Sequence, residues 1–174
     1  MIHLVLGGAR SGKSTFAEQL AQESGLAVRY VATATAGDDE MHQRIQQHRE
    51  RRPDHWALQE VPLELCELIE THQNTDELLL IDCLTLWLTN QLLHPSNPDL
   101  QKKQDELCAA LAHTRCSIVL VSNEVGMGIV PLGEISRRFV DQAGYLNQAV
   151  ARVANRVTFI AAGLPLELKS TSSA

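Results

Sequence analysis

The chain has 174 residues, 44% of them hydrophobic, and a formal net charge of −6. That is enough for one domain with its own core, expected to span residues 1–174, and the wrong sign of charge for a general nucleic-acid binder. No apolar run approaches the ~20 residues of a membrane-spanning helix, the N-terminus enters a strand without a secretory h-region, and Cys66, Cys83, Cys108 and Cys116 lack the C-x-x-C spacing of a zinc site or disulfide framework, so a cytoplasmic protein is expected.

In chain order, the apolar run Ile2-His3-Leu4-Val5-Leu6 predicts a strand, and Gly7-Gly8-Ala9-Arg10-Ser11-Gly12-Lys13-Ser14 follows it at once. This run fits every position of G-x-x-x-x-G-K-[ST]. Its glycines let the backbone turn its N–H groups toward a polyphosphate, Lys13 can reach the β- and γ-phosphates, and the Ser14 hydroxyl can ligate Mg²⁺. A helix is predicted over 13–23, with Phe16, Ala17 and Leu20 on one side and Ser24-Gly25 as its stop. A strand over 27–32 leads into a polar loop over 33–37. A helix from Gly37 or Asp38 to about Arg51 ends at Pro53. A short strand over 57–61 precedes a helix that Pro62 can open and that runs through Glu70.

The continuous apolar run Leu78-Leu79-Leu80-Ile81, closed by Asp82, predicts a strand buried on both faces. Helices over 84–93 and 99–114, a loop over 94–98, a strand over 117–121, a helix over 134–155 and a closing strand over 157–161 complete the series. Strands alternating with helices predict an α/β fold: a mostly parallel sheet with helices on both faces. Ligands of such sheets bind at the strands' carboxyl ends, so the loops after Leu6, Ala32, Ile81 and Val121 should converge on the chemistry.

Several side chains at those loops can act. Asp82 suits the Mg²⁺ shell of a phosphate-loop protein, or equally the cap of the helix from Leu84. His48 shares a predicted helix face with Met41 and Ile45 and is either a nucleophile toward phosphorus or a half-buried core histidine. Arg44, Arg49, Arg51 and Arg52 form a local positive patch, fit for a compact polyanion or for a solvated helix end. Asn123 and Glu124 open a glycine-bearing loop, and Glu124 reads as a base, a ligand-orienting carboxylate or a solvated residue. Arg137, Arg138, Asp141 and Asn147 either edge the same cleft or lie at the surface. Trp56 can stack a base or fill the core. His3, His42, His72, His94 and His113 have no such company and take structural or surface roles.

The phosphate loop, Tyr30-Val31-Ala32-Thr33, the segment from Asp38-Asp39-Glu40-Met41 through Arg44-Ile45-Gln46-Gln47-His48-Arg49, Arg52-Pro53-Asp54-His55-Trp56 and Asn123-Glu124-Val125-Gly126-Met127-Gly128-Ile129-Val130-Pro131 together resemble the bifunctional adenosylcobinamide kinase/adenosylcobinamide-phosphate guanylyltransferase family of cobalamin biosynthesis. The resemblance spans nearly the whole chain. It implies a RecA-like nucleotide-binding fold and two reactions: phosphorylation of adenosylcobinamide by ATP or GTP, then transfer of GMP from GTP to adenosylcobinamide phosphate through a guanylylated histidine. By motif position that histidine is His48, with Lys13 as a further catalytic group.

The resemblance also implies GTP contacts from the phosphate loop, Val31, Ala32, Thr33, Arg49, Glu50, Arg51, Arg52, Glu60 and Asp82, and a homotrimer. From the residues themselves, Mg²⁺ is expected at Ser14 and Asp82, Asn123 and Glu124 are candidate substrate contacts, and neither nucleic-acid binding nor a membrane span is expected. Some relatives carry a second histidine directly before the nucleophile, where this chain has Gln47. A kinase without the transferase, and a GTP-binding switch, are the competing readings. The switch lacks any N-K-x-D guanine-specificity sequence.

Overall fold

The computed structural model describes residues 1–34 and 53–171. The predicted helix ending near Arg51, with His48 and the arginines around it, lies outside the described residues. Among the described residues the chain builds one seven-stranded sheet in the order β3-β2-β4-β5-β1-β6-β7. The strands are β1 (Ile2–Gly7), β2 (Ala27–Ala32), β3 (Ala57–Glu60), β4 (Glu77–Asp82), β5 (Ser117–Asn123), β6 (Arg156–Ala161) and β7 (Leu164–Ser170). The helices are α1 (Lys13–Glu23), α2 (Leu65–Thr71), α3 (Leu84–Leu92), α4 (Leu100–His113) and α5 (Glu134–Val153). Every pairing is parallel except β6 with β7, so the expected mostly parallel sheet with helices on both faces is what these residues form.

The continuous apolar runs predicted as doubly buried strands are so. Leu78 to Ile81 and Ile118 to Val121 are each at most 3% exposed, because helices cover both faces of the sheet. The cover is uneven. On one face α1 contributes Ala17 and Ala21 against Val5, Val28, Tyr30, Leu80 and Val119. On the other, α2, α3, α4 and α5 bring Leu65, Ile69, Trp87, Leu107, Leu111, Leu146 and Val150 against Leu4, Leu79, Ile81, Ile118 and Leu120. The small alanines of α1 let that helix sit close to the sheet directly behind the loop that precedes it.

Several boundaries differ from the sequence reading: β5 runs on to Asn123, which was read as opening the loop, and the last helix ends at Val153 rather than Asn155. Pro62 does not open α2, which begins at Leu65. The Pro62 and Leu63 carbonyls are instead held by α3, accepting from Asn90 Nδ2 (3.0 Å), Trp87 Nε1 (2.7 Å) and Gln91 Nε2 (3.0 Å). And β6 does not close the sheet. The chain turns through Ala162 and Gly163, with φ of 52° and 78°, and returns as the antiparallel edge strand β7. Pro165 is tolerated there because β7 has a partner on one side only.

Candidate functional site

The register of the sheet brings four predicted loops to one edge. Gly7 pairs with Asn123 on one side and Ile160 on the other, Ala32 pairs with Asp82 and with Glu60, and Asp82 pairs with Val121. Gly7, Ala32, Glu60, Asp82 and Asn123 therefore end their strands side by side. Phosphate loop and Asp82 are separated by β5 alone.

The phosphate loop is held from behind. Ser11 N donates to Gly8 O (3.2 Å), Gly163 N from the β6–β7 turn donates to Ser11 O (2.8 Å), and Lys13 Nζ donates to Gly8 O (3.0 Å). Gly7 is required sterically, since a Cβ there would lie 2.5 Å from Ser11 Oγ and 2.6 Å from the Ile160 carbonyl. Gly12 has a φ of 96°, a left-handed conformation that suits glycine, and stands at the N-cap of α1. Helix N-termini leave N–H groups unpaired by the helix itself and attract anions. Burial pulls the Lys13 ammonium below the ordinary lysine value, against the opposing pull of Cys83 and Asp82. A phosphate beside it would favour the charged form. Gly8, Ala9, Arg10 and Ser14 complete the turn, with Ala9 and Arg10 exposed and Ser14 half-buried. Ser11 Oγ is buried with no hydrogen-bond partner among the described residues.

Asp82 is the last residue of β4, and Cys83 rather than Asp82 stands at the N-cap of α3. The reading of Asp82 as a helix cap therefore falls away. Its Oδ2 accepts from Tyr30 Oη at 3.0 Å, a contact that no sequence signal marks, because 52 residues separate the pair. The peptide after Asp82 is clamped by Thr33, whose hydroxyl accepts from Cys83 N (2.8 Å) and donates to Cys83 O (2.7 Å). Thr33 and Val31 are fully buried, so their side chains shape the wall behind the site. Ala32 is half-buried, and Glu60 is exposed at the end of β3. Burial pushes the Cys83 thiol up to about 11, so it carries no charge at neutral pH. The Asp82 carboxylate and Ser14 hydroxyl are hard oxygen donors of the kind Mg²⁺ takes.

The polar residues after β5 divide. Asn123 Nδ2 donates to Thr85 Oγ1 (2.8 Å) and the Asn123 carbonyl accepts from Asn147 Nδ2 (3.2 Å), while Asn147 Oδ1 accepts from Ser122 Oγ (2.7 Å). This ties Asn123 and Asn147 into a network beneath the site. Glu124 stays at the edge: its N–H donates to Gly7 O (3.0 Å) and its carboxylate accepts from Gly126 N (2.6 Å). Arg137, Arg138 and Asp141 are exposed on α5. Trp56 is half-buried and packs against the α1-side core.

His48, Arg44, Arg49, Glu50, Arg51 and Arg52 lie outside the described residues. The β6–β7 turn, which braces the loop through Gly163, was missed from sequence because 157–161 read as the last strand. The alternation Leu164, Leu166, Leu168 was its available signal.

Residues 3–168 match the profile of a family described as cobinamide kinase / cobinamide phosphate guanyltransferase. The bifunctional adenosylcobalamin biosynthesis protein CobP of Pseudomonas aeruginosa is 55% identical over 169 residues, covering 97% of this chain and 98% of that protein. Its counterpart CobU of Escherichia coli is 42% identical over 182 residues, covering 97% of this chain and all of that protein. A solved Pyrococcus horikoshii structure shares the fold at a TM-score of 0.55 with 11% identity, covering 98% of this chain and 87% of that one.

Proposed function

The chain belongs to the cobinamide kinase / cobinamide phosphate guanyltransferase family, and from that premise we propose how its residues share the two reactions. The carrying observation is the braced phosphate loop, with Lys13 Nζ on the Gly8 carbonyl and Asp82 one strand beyond its neighbour. In the kinase step the side-arm hydroxyl of cobinamide attacks the γ-phosphorus of ATP or GTP. The bond to the β,γ-bridging oxygen breaks, the nucleoside diphosphate leaves, and the hydroxyl proton passes to solvent or to a carboxylate at the edge, where Glu124 stands. Lys13 and the amides at the start of α1 hold the charge on the phosphoryl oxygens. Ser14 and Asp82 would hold Mg²⁺, which would supply neutralisation of phosphate charge, and the Tyr30 hydroxyl fixes one oxygen of the Asp82 carboxylate.

In the transferase step an imidazole nitrogen of His48 attacks the α-phosphorus of GTP and pyrophosphate leaves. A phosphate oxygen of cobinamide phosphate then displaces the histidine, breaking the P–N bond and regenerating the enzyme. Arg49, Arg51 and Arg52, next to His48 in sequence, serve the departing pyrophosphate. Glu50 and Glu60 complete the nucleotide contacts that the family resemblance implies. The protein acts in the cytoplasm as a homotrimer. Support for self-association comes from β7, an edge strand exposing Leu164, Leu166 and Leu168 at 56–71%. No helix among the described residues is long and apolar enough to cross a membrane.

Incubation with GTP should raise the protein's mass by one GMP, and His48→Ala should abolish the increase while nucleotide binding persists. A persisting adduct on the variant would place the nucleophile elsewhere. A wild-type protein that phosphorylates cobinamide but forms no adduct would leave only the kinase.

A further inference from the structure

The loop between β5 and α5 presents a surface that neither phosphate chemistry nor folding explains. Residues 125–133 contain no charged side chain. Met127, Ile129, Val130 and Leu132 are 80%, 97%, 72% and 98% exposed, and Ile135 in the first turn of α5 is 55% exposed. Scattered exposed apolar residues are ordinary, but five large ones within nine positions form a patch of the kind that marks a binding surface.

The patch is held in place. Val125 packs on the core, the Glu124 carboxylate accepts from Gly126 N, and Arg137 Nη1 donates to the Pro131 carbonyl (3.2 Å) and to the Leu132 carbonyl. Its root is at the reaction centre, because Glu124 N donates to Gly7 O at the start of the phosphate loop, and β5 lies between β1 and β4.

We infer that residues 127–132, with Ile135, are the surface on which the corrinoid ring of the acceptor lies. The inference rests on the kinase and guanylyltransferase reading above and deepens it. A corrinoid is a broad macrocycle edged with methyl groups and neutral carboxamides, and its reacting hydroxyl hangs on a short side arm. Such a ligand takes its contact area from uncharged side chains, whereas a nucleotide takes it from cations and amide N–H groups. A ring seated on Met127 and Ile129 lies three to five residues along the chain from Glu124, whose N–H is bonded to Gly7 O at the start of the phosphate loop, so its side arm would turn inward toward the γ-phosphorus. The glycines at 126 and 128 keep side chains from standing between ring and loop.

The test is the double variant Met127→Ser/Ile129→Ser, with Leu132→Ser as an independent second and Met127→Leu/Ile129→Val as the conservative control. Cobinamide kinetics, GTP kinetics, GMP adduct formation from GTP alone and sedimentation mass are measured on the intact protein. Both serine variants should raise the KM for cobinamide about tenfold or more. The KM for GTP, the adduct yield and the mass should stay at wild-type values, and the conservative control should behave as wild type. An unchanged cobinamide KM overturns the inference, as does a fall in mass, which would make the patch a subunit contact, or an equal loss of adduct formation. A wild-type protein that neither binds nor phosphorylates cobinamide overturns the functional reading and the inference with it, whereas an active wild type with unaffected variants overturns the inference alone.

Discussion

Two glycine-bearing loops leave the middle of the sheet next to each other, residues 7–14 after β1 and residues 124–133 after β5, and they are built in opposite ways. In the first, hydrogen bonds from Ser11, Lys13 and Gly163 close on the backbone, and a Cβ on Gly7 would strike a carbonyl oxygen 2.6 Å away. In the second, a Cβ on Gly128 would meet nothing within 4 Å, and the side chains around it point into solvent. One loop positions backbone for a charged ligand. The other spreads apolar area. A glycine count cannot tell the two apart, but the atoms around each glycine can.

The largest effect that separates them is expected at Lys13. Lys13→Ala removes the only lysine of the phosphate loop, whose ammonium is already held at the Gly8 carbonyl. It should lower both kinase and adduct-forming rates by about 10²–10³-fold, the cost typical of removing one preorganised donor at a reacting oxyanion. Steady-state kinetics and GMP labelling measure the two rates. A variant retaining either rate would separate that step from this loop. Gly7→Ala comes next. The added methyl forces Ser11 or the Ile160 carbonyl to move, for a loss of up to about 3 kcal/mol in unfolding free energy, read by urea denaturation.

Acid should distinguish the two strands that feed these loops. His3 in β1 is 2% exposed, with its Nε2 2.8 Å from Thr158 Oγ1 and its ring edge-to-face with Phe16. Burial first, and then the nearby Arg156, lower its pKa to about 4, with Glu167 pulling the other way. The unfolded chain, with the ordinary value near 6.5, binds the proton more readily, so stability is complete above about 6.5 and is lost as pH falls toward 4. Between pH 7 and 4.5 the loss from this group is about 2 kcal/mol. β5 has no titratable side chain. In His3→Asn the loss over that interval should shrink by that amount, measured as the difference between urea midpoints at the two pH values, and an unchanged difference would assign the acid sensitivity elsewhere.

Most of the scaffold was legible because its signals are local. The runs at 78–81 and 118–121 carry the pattern expected of buried strands, and the G-x-x-x-x-G-K-[ST] pattern points to a strand, a turn and a helix in succession. Asp82 was legible as a strand-end carboxylate. Its partner Tyr30 was not, since that hydrogen bond depends on the register of β2 against β4. Nor was Thr33's real use legible: a hydroxyl at a strand end reads as a ligand contact, yet here it clamps the backbone at Cys83. β7 was passed over because 157–161 read as the closing strand, although the alternation Leu164, Leu166, Leu168 was there to mark it. The loop after β5 was read for its one carboxylate, and its apolar side chains became informative only once their exposure was known.

The smallest expected effect tests the comparison most directly, because it makes the same chemical change as Gly7→Ala one strand away. Gly128 has no positive φ and open space where a Cβ would go. An alanine there reduces the freedom of the unfolded chain without straining the folded one, which stabilises by about 0.4–1 kcal/mol where the backbone is compatible. For a chain of this length that corresponds to a rise in Tm of roughly 1–4 °C. The substitution adds one methyl to an apolar surface, so nucleotide kinetics should not move. Calorimetry showing a lower Tm for Gly128→Ala would mean that this loop, like the one beside it, is closed on its own backbone, and the contrast between a braced phosphate loop and an open apolar one would fail.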